Sequence, residues 1–74
     1  MNPVKFVYNF FDEAHTQAPR AVFEVDTALN FATGDKVWLD EFGPNGPRTV
    51  YQIEHQFERK GPGLVCVICI RCRL

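Results

Sequence analysis

The sequence predicts an all-β fold: a small, strongly bent antiparallel sheet or half-open barrel of about five strands, forming a single domain over residues 1–74. Three observations carry that expectation. Short stretches of alternating apolar and polar residues recur along the chain. Turns rich in Gly and Pro separate them, and no segment has the period of an amphipathic helix. At 74 residues the chain has the size of one domain, and curling the sheet hides strand edges that would otherwise stay open.

Val4 to Phe11 (VKFVYNFF) puts Val4, Phe6, Tyr8 and Phe10 on one parity and Lys5, Val7, Asn9 and Phe11 on the other. This is a strand with one strongly apolar face and one mixed face. Asp12 to Arg20 is the most polar stretch, and Pro19 favours a loop. In Ala21 to Thr27, Ala21, Phe23 and Val25 alternate with Glu24 and Asp26, as in a half-buried strand. Ala28 to Thr33 reads as a helical turn or irregular loop, with Leu29 and Phe31 plugging an open end of the core.

Gly34-Asp35 marks a turn into Lys36 to Asp40 (KVWLD), a short strand with Val37 and Leu39 inward and Trp38 on the other face. Glu41 to Arg48, with two Gly and two Pro, is a connection. Thr49 to Phe57 alternates, with Tyr51, Ile53, His55 and Phe57 expected to face the core. Glu58 to Gly63 reads as a polar hairpin loop. From Phe31 to Arg73 the pattern of turns and short strands resembles SH3-like small barrels. The resemblance implies the half-open barrel and transfers no functional residue.

The closing segment, Leu64 to Leu74 (LVCVICIRCRL), is apolar on both parities as far as Ile70. A strand of that kind is expected to be covered on both faces, either by Leu29, Phe31 or Phe42 of the same chain or by another copy. A 46% hydrophobic content with seven Phe argues against disorder. Eight Lys or Arg against nine Asp or Glu leave no net field to steer the chain toward nucleic acid or anionic membrane. Without a signal-peptide pattern or an apolar run of about 20 residues, a cytoplasmic location is expected, and three cysteines fit a reducing compartment.

Cys66, Cys69 and Cys72 form C-x2-C-x2-C, a spacing shared with part of an iron–sulfur run. On a strand, however, Cys66 and Cys69 point to opposite faces, and Cys66 and Cys72 lie about 20 Å apart. No metal or other cofactor is expected. Cys66 and Cys69 read as small buried hydrophobes, and Cys72, between two arginines, as the exposed thiol with its pKa drawn down.

His15 reads as a solvated loop residue and His55 as a core-edge residue or a pocket wall. Neither has a nucleophile or paired base beside it in sequence, so no catalytic residue is assigned and no enzyme is expected. No glycine-rich loop opens a helix that might cradle phosphate.

Two binding readings follow. The stronger is a protein-binding or self-associating module, a homo-oligomer or another protein's partner, with Val7, Phe11, Trp38, Val65 and Val67 as interface. The weaker is a small barrel for single-stranded nucleic acid, with aromatic platforms and a phosphate track of Arg59, Lys60, Arg71 and Arg73. No membrane partner is expected.

Overall fold

The structure is a computed structural model that describes residues 4–13, 17–44 and 46–74. Five strands make one sheet: β1 (Val4–Asp12), β2 (Ala21–Val25), β3 (Lys36–Val37), β4 (Arg48–Lys60) and β5 (Gly63–Arg73). Their spatial order is β2-β1-β5-β4-β3. The sheet curls strongly into a half-open, SH3-like barrel. His15 lies outside the described residues.

Three of the strand pairs are antiparallel, and the central pair β1–β5 is parallel. The sheet is therefore mixed. A two-residue period identifies strands but carries no information on pairing direction. Here the chain leaves β1 for one edge, β2, and then crosses to the other edge, β3, before returning to the centre. That long return allows a parallel neighbour, which a hairpin cannot supply.

The core lies on the concave face. Tyr8 and Phe10 of β1, Val50 of β4, and Cys66, Ile68, Ile70 and Cys72 of β5 are all buried there. Ile70 is at 0% exposure, and burying a side chain of that size contributes about 1.5–3 kcal/mol. Phe31 completes the core from above, its ring centroid 5.5 Å from Tyr8 and 5.6 Å from Phe10. The irregular segment that carries it is pinned by one hydroxyl. Leu29 N–H donates to Tyr8 Oη at 2.7 Å, and the Tyr8 hydroxyl donates to the Leu29 carbonyl at 3.0 Å.

β4 departs from strict alternation. Val50 stands opposite Cys72 and Ile53 opposite Ile70, so Tyr51 is an extra residue in a β-bulge. Val50, not Tyr51, is therefore the core residue before the bulge, while Ile53, His55 and Phe57 keep the inward parity after it. Such a bulge bends its strand. The expected Glu58–Gly63 loop is also shorter than its polarity suggests. Lys60 pairs with Gly63, leaving a two-residue turn in which Gly61 takes φ +58°, as a strand-matched hairpin requires. Lys36–Asp40 is a strand only at Lys36–Val37, and a 3-10 turn follows at Asp40–Phe42.

Candidate interaction surface

The outer face of the sheet is built by the odd-numbered residues of β1 and β5. In the parallel register Lys5 lies opposite Val65, Val7 opposite Val67, Asn9 opposite Cys69 and Phe11 opposite Arg71. β2 and β4 extend these rows with Glu24 beside Val7, Gln56 beside Val67 and Glu58 beside Val65. An apolar centre of Val7, Val65 and Val67 is thus rimmed by polar groups, the anatomy of a protein interface. A hollow of about 300 Å³ opens at its Val65 end, between Lys5, Glu24 and Lys60.

No strand or helix among the described residues lies over this face. The three residues expected to fold onto it are used elsewhere. Phe31 and Phe42 pack into the concave core, and Leu29 is tied to Tyr8 on that same side. Phe11 is the exception to the open character of the strip: the Arg71 guanidinium sits 4.8 Å from its ring centroid. Arg71 is held there by Glu54, Nε to Oε1 at 2.8 Å.

Trp38 stands apart from the other four residues. It follows β3, which β4 separates from β5, and it is 72% exposed. It lines a groove of about 430 Å³ with Leu39, Asp40, Gly43 and Pro44. Two arginines brace the backbone next to it. Arg48 donates from Nη2 to the Phe42 carbonyl at 3.1 Å and from Nη1 to the Gly46 carbonyl at 3.2 Å. Arg20 donates to the Glu41 carbonyl at 2.9 Å. The Arg48 guanidinium is buried, lies 3.7 Å from Asp12 Oδ2 and stacks 5.3 Å from the Phe42 ring centroid.

Arg48 was not legible as a structural residue. It shares its parity with Val50, which the bulge hides, and its carboxylate partner is 36 positions away in the chain.

The four basic residues of the nucleic-acid reading are split. Arg59 and Lys60 stand at the β4–β5 hairpin, opposite Leu64 and Gly63, whereas Arg73 stands opposite Thr49. Nine residue steps along β5 lead from Leu64 to Arg73, about 30 Å. Arg71 is engaged by Glu54 and Phe11, and Arg73 lies 5.2 Å from the Tyr51 ring centroid.

The cysteines are distributed as strand geometry requires, with one correction. Cys72 is not the exposed thiol. It shares the core parity with Cys66, is at 0% exposure, and its neighbours Arg71 and Arg73 are on the other parity. Burial, with a further push from Asp12 and an opposing pull from Arg48, raises its pKa to about 11. Cys69, on the outer face, is the half-buried one.

Among the described residues no group of three or more His, Cys, Asp or Glu is arranged to hold a metal ion. His55 is exposed and edges a hollow of about 120 Å³ with Tyr8, Leu29, Phe31, Ile53 and Ile68. The only other titratable group in that wall, the Tyr8 hydroxyl, is already bonded twice to Leu29.

Comparison of the chain with protein-family models, curated proteins and solved structures gives no match. No helix among the described residues is long and apolar enough to cross a membrane. The fold is a small, non-catalytic barrel of a kind typical of protein-binding modules.

Proposed function

We propose that this chain is a cytoplasmic, non-catalytic protein-binding module that self-associates. The observation that carries the reading is the outer strip of Val7, Val65 and Val67, apolar at its centre, polar at its rim, and left without a cover by the residues expected to fold over it. A small chain exposes much of its surface, and burying such a strip against protein offsets that cost. Trp38, with most of its indole in solvent beside Pro44, supplies a second contact of the kind that dominates binding energy. Phe11, held under Arg71, forms the strip's edge.

Sedimentation velocity of the purified protein across the micromolar range tests this. The expected result is a concentration-dependent dimer, with Trp38 emission shifting to the blue when a partner complex forms. A monomer at every concentration, whose strip and Trp38 substitutions change no interaction in cells, would overturn it.

A further inference from the structure

β4 is two strands in one. Its first residues are covered by β3, through the Lys36–Thr49 and Val37–Arg48 pairs, and Val50 is bonded to Gly34 and Asp35. From Gln52 to Lys60 no described strand or backbone group pairs with its outer edge. An exposed edge of that length is a template for another strand. The inner face at this end is also uncovered: Phe57, in one row with Cys66 and Phe6, is 64% exposed.

We infer that this edge is where a second copy of the chain joins, β4 against β4, antiparallel about a two-fold axis at Phe57. The inference rests on the self-association proposed above and places it at this edge, which leaves the outer strip for a different protein. The choice of occupant and register comes from the side chains. A two-fold axis perpendicular to the sheet pairs residues of the same face, so it must pass midway between the two copies of one residue.

Centred on Phe57, it sets Phe57 against its own copy and Glu54 against Lys60 twice. Both are favourable cross-strand pairs. The axis at Gln56 opposes Glu54 to Glu58, and the axis at Glu58 opposes Glu58 to itself; both set like charges face to face. The axis at His55 joins Phe57 to Ile53 but makes no opposite-charge pair. The Phe57 register does place His55 opposite Arg59, its one unfavourable neighbour. Glu54 engages Arg71 through Oε1, and a carboxylate accepts at both oxygens.

The dimer is then one continuous sheet. Each Phe57 covers the open end of the other inner face, and the outer Val7–Val67 strips stay available.

Cross-linking tests the register. In a Cys66→Ala, Cys69→Ser background, which removes the thiol directly opposite residue 57, Phe57→Cys is oxidised under mild conditions and compared with Arg59→Cys. Partner Cα atoms on antiparallel strands are about 4.5–5.5 Å apart, within disulfide reach, whereas two copies of residue 59 are offset by four residues, about 13 Å. A disulfide dimer from Phe57→Cys alone is expected; equal cross-linking of both would overturn the register.

In sedimentation, Phe57→Asp is expected to abolish the dimer. Lys60→Glu is expected to weaken it about three- to tenfold, and Glu54→Lys with Lys60→Glu to restore it. Phe57 is too exposed for its replacement to threaten folding, and an unchanged circular dichroism spectrum checks this. A dimer that survives Phe57→Asp but is lost on Val67→Asp overturns the edge inference and keeps self-association. A monomeric wild type overturns both.

Discussion

Val7 stands directly opposite Val67 in the parallel β1–β5 pair, on the face of the sheet that no described element covers. Two adjacent strands from opposite ends of the chain thus share one apolar strip. Its consequences separate cleanly from those of the core row behind it.

Replacing Val67 with Asp is expected to weaken a partner's binding to the strip at least tenfold, to leave the β4–β4 dimer in place, and to cost folding less than Ile70→Ala does, since Val67 is only half-buried. Ile70→Ala, three residues along and fully buried, is expected to cost about 2–5 kcal/mol. Urea titrations of the two variants beside sedimentation check the contrast.

Arg48 should behave as a core residue. Arg48→Ala leaves the Asp12 carboxylate without its buried guanidinium and frees the Phe42 and Gly46 carbonyls. Loss of one member of such a pair costs about 3–5 kcal/mol. Arg48→Lys is expected to recover only part of this, because an ammonium cannot span both carbonyls and the carboxylate in one plane. Thermal or urea unfolding measures both.

Tyr8→Phe removes both hydrogen bonds to Leu29. The expected cost is about 1–3 kcal/mol, accompanied by faster amide hydrogen exchange at Leu29 and little change in the exchange of β5.

The thiols should titrate by position. A disulfide-exchange reagent is expected to react first with Cys69, and with Cys66 and Cys72 only as the protein unfolds. Cys72 also has a pH signature. Its folded pKa of about 11 stands above the ordinary value of 9.0, so the unfolded chain loses this proton first. Stability is then intact below about pH 9 and falls as pH rises toward 11. In Cys72→Ala this part of the decline is expected to disappear.

The strands were readable because their alternation reflects burial directly: Tyr8, Phe10, Ile68 and Ile70 all lie where period-two logic places them. The parallel β1–β5 pairing was not, since direction leaves no local trace. One extra residue at Tyr51 reversed the apparent faces of the first part of β4, so alternation alone does not mark Val50 and Arg48 as the buried residues they are. For the surface, the Val7, Val65 and Val67 strip followed from parity alone. What covers a second apolar face depends on where loops travel, and Phe31 and Phe42 travel to the concave side. Cys72 keeps an even spacing from Cys66, and that parity, not its neighbours Arg71 and Arg73, decides its burial.

The most direct test of the central claim is the mass of the wild-type protein in solution, measured by sedimentation equilibrium across the micromolar range. A self-associating chain gives a reversible monomer–dimer equilibrium. A single species of monomer mass at every concentration would contradict it.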